Sequence, residues 1–112
     1  MFPDPPAQLE WLEPWQRLEG SGDAFVRELQ KEIAPRHVLH GLSVIAVARR
    51  IDRDDVLFAT HDPTKALAVV HLTWASRSET DPQWPFTTLY ESWQDWIDRC
   101  LLPDHEEYSG NG

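Results

Sequence analysis

The stretch that decides the fold runs from Leu42 to Trp74 and reads LSVIAVARRIDRDDVLFATHDPTKALAVVHLTW. Two polar breaks of turn-forming composition, Asp52–Asp55 and Asp62–Lys65, divide it into three segments rich in β-forming residues. Because short connections join antiparallel neighbours, the stretch predicts a three-stranded meander. The predicted strands cover residues 42–51, 56–61 and 66–74.

Symmetric pairing about the second break divides the strand residues between two faces of the sheet. One face, a predicted core, then carries Val56, Phe58, Val70, Leu72 and Trp74. The other carries Leu57, Ala59, His61, Val69, His71 and Thr73. This second face is too apolar to be left in water, so we expect the N-terminal arm or a second subunit to cover it.

A helix is predicted before the meander, over residues 24–34. Asp23 can cap it, and Pro35 ends it. Apolar side chains recur at helical spacing along one side. The other side is predicted to face water with Arg27, Glu28, Lys31 and Glu32.

A second helix is predicted after the meander. Ser92 and Asp95 resemble a capping box at its start, and Pro103 is predicted to end it. Its apolar stripe comprises Leu89, Trp93, Trp96, Ile97, Cys100 and Leu101. With Phe86–Leu89 as a candidate edge strand, the predicted fold class is α+β. It is a three- to four-stranded antiparallel meander with an N-terminal helix and a C-terminal amphipathic helix packed on the sheet.

The predicted domain organisation has three parts: an arm rich in proline and tryptophan over 1–22, one α+β domain over 23–107, and a flexible tail over 108–112. One or two helical turns fit the arm, with Pro14 at a first helical position. Trp11 and Trp15 make the arm too apolar for a free tail. We therefore expect it to lie against the domain with its tryptophans inserted.

Composition limits the classes of function. The chain has 112 residues and a net charge of −9, which makes nucleic acid and membrane poor default partners. The start of the chain lacks the basic and apolar regions of a signal peptide, and no apolar run approaches the roughly 18 residues of a membrane span. A single cysteine suits a reducing compartment, so a cytoplasmic location is expected.

Three segments carry a resemblance to a known group of proteins. They are AVVHLTW at 68–74, DPQWP at 81–85 and TLYES at 88–92. Together they resemble a family of small bacterial proteins of unknown function, over about residues 24–107. The resemblance implies no activity and transfers no functional residue. Proteins of this kind are often accessory gene products of cassette-borne or immunity type.

Histidines provide the candidate chemistry. His61 and His71, with Thr73 and Asp62 nearby, could line a pocket for acid–base chemistry or for a small ligand. The favoured interpretation is structural, with each imidazole partly buried and hydrogen-bonded to its neighbours, because no nucleophile or oxyanion donor accompanies them. His37 and His40 are placed on a loop.

Metal and thiol chemistry are not predicted. The C-terminal segment offers donor side chains, but without the paired, tight spacing of a structural zinc site; they are Cys100, Asp104, His105, Glu106 and Glu107. Cys100 lies on the apolar stripe near a helix C-terminus, which indicates a buried structural cysteine. No metal or other cofactor is therefore predicted.

The loop before the second helix holds the candidate contact residues, Trp84 and Phe86. Pro82 and Pro85 brace Trp84, and an aromatic side chain on a stiff loop makes a contact surface with little entropy to lose. The favoured interpretation at this stage is that Trp84 folds back onto the edge of the core.

The leading functional hypothesis is a non-enzymatic protein-interaction module that binds a protein partner or associates with itself. A homodimer through the second sheet face or the Trp84 loop is one form of it. The alternative is a small enzyme or small-ligand-binding protein with a pocket at His61 and His71. An acidic inhibitor of a basic protein is a third, weaker hypothesis.

Overall fold

The computed structural model of this chain describes residues 2–75, 81 and 83–110. The described residues form one five-stranded antiparallel sheet, in which the strands follow one another in chain order. They are β1 (Trp15–Arg17), β2 (Val44–Arg50), β3 (Asp55–Thr60), β4 (Leu67–His71) and β5 (Thr87–Tyr90). Helix α1 (Asp23–Glu32) packs on one face, and a C-terminal helix over 93–110 packs on the sheet as well. The predicted α+β class is confirmed.

The register of the central hairpin confirms the predicted division into faces. Val56 lies opposite Val70, and Leu57 lies opposite Val69. On the α1 side, the strands and α1 bury Leu29, Ala46, Val56, Phe58, Ala68, Val70 and Leu72 together. Trp74 reaches the same side but stays 45% exposed, so its predicted place in the core is wrong.

The second face of the sheet is covered by the chain itself. The C-terminal helix and the arm bury Trp15, Leu57, Ala59, Leu67, Trp93, Trp96 and Leu101 there, with Trp11 and Val69 packed at the margin. The rings of Trp15 and Trp96 lie 5.4 Å apart, edge to face. The insertion of the arm's tryptophans is thus confirmed, and the arm and the C-terminal helix provide the cover that was predicted for this face.

The arm is extended where helical turns were predicted. Trp15–Arg17 pair with Ala48–Arg50 along the edge of β2, because backbone groups at a sheet edge need partners that a helical turn would not supply. Pro14 therefore precedes a strand and does not start a helix.

Helix α1 begins with a glycine cap. Gly22 has a left-handed backbone, φ 67°, and a Cβ there would come within 2.9 Å of the Cβ of Ala46. Only glycine suits that position. Asp23, predicted as the cap, is the first helical residue, where its carboxylate still favours the positive end of the helix.

The C-terminal helix begins as predicted. The Asp95 N–H donates to Ser92 Oγ at 3.1 Å, and the Glu91 N–H donates to Asp95 Oδ2 at 2.9 Å. The first bond is the cap predicted for Ser92, whereas the second satisfies the N–H of the residue before the cap, so the arrangement is close to a capping box without completing one. Leu89 does not join the stripe of this helix. It lies on β5 and packs on the α1 side.

The helix does not end at Pro103. It consists of an α-helical turn (Trp93–Trp96), a π-helical segment (Ile97–Leu101) and a final α-helical segment (Leu102–Gly110). The N–H of Leu102 bonds to the carbonyl of Ile97, five residues back. This wider turn directly before Pro103 gives the proline ring room that a regular α-turn denies it. The predicted tail over 108–112 therefore starts inside the helix, and its last two residues lie outside the described ones. Within the described ranges, no helix combines the length and apolarity that crossing a bilayer requires.

Candidate functional site

The structure separates the two histidines that were predicted to share a pocket. His71 ends β4 opposite Asp55, the first residue of β3, whereas His61 follows the last residue of β3. The whole length of β3 lies between them, roughly 20 Å for an extended segment of this length. The predicted pocket at His61 and His71 is therefore not formed.

Each of these histidines has a local partner. His71 Nδ1 lies 2.7 Å from Asp55 Oδ1. His61 Nδ1 lies 3.2 Å from the backbone nitrogen of Ser43, and the predicted orienting residue, Asp62, bonds instead to Thr64. Both imidazoles are exposed and held by neighbours, so hydrogen bonding by neighbours is confirmed but the partial burial is not.

Thr73 belongs to a backbone clamp that sequence reasoning missed. The N–H groups of Thr73 and Trp74 donate to the two carboxylate oxygens of Glu32, at 2.9 and 2.8 Å. Glu32 is completely buried, although the helical pattern predicted that it faces water. Burial raises the pKa of Glu32, and a hydrogen bond with the Glu28 side chain raises it further, while the two N–H donors lower it.

Trp84 and Phe86 lie at the surface together with Val38. Their exposed fractions are 46%, 57% and 38%, and the rings of Trp84 and Phe86 are 6.2 Å apart. These three residues are called the Trp84 surface below. The favoured interpretation, in which Trp84 folds back onto the core, is wrong because the core face it would cover is already filled by α1 and Leu89. Pro82, one of its two predicted braces, lies outside the described residues.

Local hydrogen bonds fix the loop that carries this surface. The Trp84 N–H donates to the Asp81 carbonyl at 3.0 Å, and the Gln83 N–H donates to Asp81 Oδ1 at 2.9 Å. Pro85 is buried, and its carbonyl accepts from Thr87 Oγ1 at 2.9 Å. The two aromatic rings thus project from a loop whose backbone is bonded on both sides of them.

His37 ties this loop to the segment that follows α1. Its Nδ1 accepts from the Leu39 N–H at 3.0 Å, so Nε2 carries the proton and donates to the Pro85 carbonyl at 3.0 Å. Burial lowers the pKa of His37, which keeps the imidazole neutral. The sequence placed His37 on a loop but offered no signal for a partner 48 residues away.

A groove of about 570 Å³ runs beside Phe86, between the loop after α1 and the start of β5. It is lined by Arg36, His37, Val38, Gln83, Phe86 and Thr87. Among these described lining residues, Arg36 has the only charged side chain, because His37 is neutral. Lys65 Nζ lies 3.5 Å from the Val38 carbonyl, so a second cation borders the Trp84 surface.

Strand β5 forms the adjoining edge of the sheet. The His71 N–H donates to the Phe86 carbonyl at 3.0 Å, and alternation along β5 therefore turns Thr87 and Leu89 outward. Arg99 Nη2 donates to the Leu89 carbonyl at 3.2 Å. Within the part of the chain that the structure describes, the N–H and C=O of Thr87 meet no backbone partner.

Three of the candidate donor side chains of the C-terminal helix, Cys100, Asp104 and His105, are hydrogen-bonded to groups of the protein itself. Cys100 is buried as predicted, and burial, with the nearby Asp104 carboxylate, raises the pKa of its thiol to about 12. A thiol of this kind is a poor nucleophile at neutral pH. Asp104 and His105 bond instead to Trp15 and to the Glu13 carbonyl. Among the residues described, no three His, Cys, Asp or Glu side chains are arranged to hold a metal ion.

Comparison with protein-family models, curated protein sequences and solved structures found no match for this chain. The resemblance of residues 24–107 to small bacterial proteins therefore stays a prediction. Any function has to be argued from the chemistry of the Trp84 surface, its groove and the edge of β5.

We expect the free energy of unfolding to decrease as the pH falls, because His37 becomes protonated. The pKa of His37 is lower in the folded protein than the ordinary value of about 6.5. Neutral His37 therefore contributes fully to the free energy of unfolding above about pH 6.5, and this contribution is lost as the pH falls through the lowered pKa. The variant His37→Asn should lose about 1–3 kcal/mol of unfolding free energy at pH 7.5, because buried partners stay unsatisfied. Between pH 7.5 and pH 5, the free energy of unfolding of this variant should also fall less than that of the parent protein, because asparagine does not titrate.

Urea unfolding followed by circular dichroism measures both effects. His61→Asn is the matched control, because His61 is exposed and lies after β3, away from the groove. Equal pH slopes in the parent protein and in His37→Asn would contradict the assignment.

Proposed function

We propose that this protein is a non-enzymatic interaction module that binds an extended segment of a partner protein along β5. The observation that carries the proposal is the position of the exposed Trp84 surface beside a strand edge, where the Thr87 backbone groups have no backbone partner among the described residues. Exposed edge strands bind extended peptides by adding a strand, and neighbouring pockets then select alternate side chains. Here Thr87 would supply the backbone bonds, and the groove would receive a side chain.

The chemistry of the groove defines the segment that it fits. Phe86 and Val38 offer apolar contact, and aromatic side chains on a held loop are typical anchors of protein interfaces. Arg36 and Lys65 border that contact without a carboxylate among the described lining residues. The matching segment is extended, with an apolar side chain toward Phe86 and a carboxylate within reach of Arg36. The net charge of the protein is negative, but salt screens charges beyond about 8 Å. The cations next to the groove therefore determine which segment it attracts.

A second copy of this chain is a poorer occupant. A two-fold dimer joins a patch to itself, which here would bring two copies of Arg36 and Lys65 together. The second sheet face, the other predicted dimer surface, is already covered by the arm and the C-terminal helix.

Selection from a random peptide library, with the purified protein as bait, tests the proposal. We expect the recovered peptides to share an apolar residue and an acidic residue. A synthetic peptide of the shared sequence should bind the parent protein in fluorescence polarisation. Its affinity should fall about tenfold or more in Phe86→Ala and in Arg36→Ala, the loss expected for central contact residues. Tyr108→Ala and Arg27→Ala are the matched controls, because both side chains are exposed on other elements.

The strand-addition step has its own variant. Thr87→Pro removes the outward N–H of β5 without removing a backbone bond within the sheet, and Thr87→Val is its control, because both variants lose the hydroxyl that donates to the Pro85 carbonyl. Peptide binding should be abolished in Thr87→Pro and kept in Thr87→Val, while both variants unfold cooperatively. Recovered peptides that bind Phe86→Ala as tightly as the parent protein would overturn the proposal. So would a stable dimer, seen by light scattering, that Phe86→Ala dissociates, because a second copy would then be the occupant.

A further inference from the structure

A second pocket combines charges of both signs with aromatic rings. It has a volume of about 270 Å³ and is bordered by Val56 and by the aromatic pair Phe25 and Trp74. Its charged lining residues are Arg49, Arg53, Asp54 and Asp55. The peptide groove does not use these residues.

The charged side chains that line this pocket are not joined to one another in ion pairs among the described residues. In the described part of the chain, no ion pair joins Arg49 or Arg53 to Asp54 or Asp55. Asp55 bonds instead to His71 Nδ1 at 2.7 Å. Opposite charges that line one small pocket without pairing leave both a cationic and an anionic position for a ligand.

The aromatic side of the pocket is held in place. The rings of Phe25 and Trp74 meet at 67° with centroids 5.9 Å apart. Trp74 has a left-handed backbone, φ 58°, and its N–H donates to the buried Glu32 carboxylate at 2.8 Å. The clamp thus presents a tryptophan ring, 45% exposed, at a set position beside the charged groups.

We infer that this pocket binds a small zwitterion that carries an aromatic group, of the size of a free aromatic amino acid. The carboxylate of the ligand is placed at Arg49 and Arg53, because guanidinium groups match carboxylates in charge and geometry. Its ammonium is placed at Asp54, because Asp55 is already bonded to His71. Its ring lies against Trp74 and Phe25, where aromatic pairs are favourable.

Calorimetric titration with four small probes tests each part of this assignment. L-Phenylalanine carries all three features, 3-phenylpropionate lacks the ammonium, 2-phenylethylamine lacks the carboxylate, and L-alanine lacks the ring. L-Phenylalanine should bind about tenfold or more tightly than each of the other three, as expected when a charged hydrogen bond or an aromatic contact is lost. N-acetyl-phenylalanine and phenylalanine amide separate a free amino acid from a residue at a peptide terminus. If either binds as tightly as L-phenylalanine, the free zwitterion is excluded.

Variants locate the binding in this pocket. The double variant Arg49→Gln/Arg53→Gln should weaken L-phenylalanine binding about tenfold or more while it keeps the parent's thermal midpoint, because both side chains are exposed. Arg27→Gln and Phe86→Ala should bind the probe like the parent protein, which separates this pocket from the peptide groove. Absence of binding at millimolar L-phenylalanine, or equal binding by the double variant, would overturn the inference.

Discussion

Replacing Trp15 by alanine is expected to lower the free energy of unfolding by about 3–5 kcal/mol, the usual cost of truncating a buried tryptophan. Trp15 is 1% exposed, and its ring packs against Trp96. Its Nε1–H also donates to Asp104 Oδ2 at 2.8 Å, so it joins the first strand to the last helix. The loss therefore combines a large cavity with a broken hydrogen bond. Urea unfolding followed by circular dichroism measures it.

Trp84→Ala is the matched control for this substitution. The Trp84 side chain is 46% exposed on its loop, and surface truncations of this kind stay within about 0.5 kcal/mol. If Trp15→Ala costs no more than Trp84→Ala, the N-terminal segment is not part of the cooperative core.

The variant Asp104→Ala is expected to cost about 2–4 kcal/mol, since hydrogen bonds to charged groups contribute roughly 1.5–3 kcal/mol each. Asp104 Oδ2 accepts from Trp15 Nε1 and lies 3.4 Å from Cys100 Sγ. It also lies 3.3 Å from Nη1 of Arg50, whose side chain is nearly buried. Removing the carboxylate leaves that guanidinium with Asp52 as its remaining ion-pair partner among the described residues, and uncompensated buried charge is unfavourable. The same urea measurement applies.

Glu106→Ala provides the control, because Glu106 is exposed on the same helix. The double variant Trp15→Ala/Asp104→Ala should cost less than the sum of the two single variants, because both remove the same hydrogen bond. Strict additivity would show that the bond between Trp15 and Asp104 contributes nothing.

Much of the sheet could be predicted because its information is local. Alternation around the turn Asp62–Lys65 was enough to assign Val56 and Val70 to one face and Leu57 and Val69 to the other. The capping residue Ser92 likewise predicted where the last helix begins. These features depend on neighbours in sequence and on the two-residue period of a strand.

The candidate sites were predicted only in part. Proline-braced aromatics marked Trp84 and Phe86 as contact residues, but whether Trp84 would face the core or water depended on what else filled the core. The groove needed His37 to reach the Pro85 carbonyl, and the second pocket needed Glu32 to hold Trp74. Such contacts join residues far apart in the chain, and no local pattern encodes them.

By itself, the sequence determined the α+β class, the central hairpin register and the burial of the tryptophan stripe, because hydrophobic period and turn chemistry act between near neighbours. Only the tertiary structure decided that the arm would become a strand, that Glu32 would be buried, and that His61 and His71 would lie apart. Those outcomes depend on which backbone groups and side chains compete for the same edge, face or cavity once the chain has closed on itself.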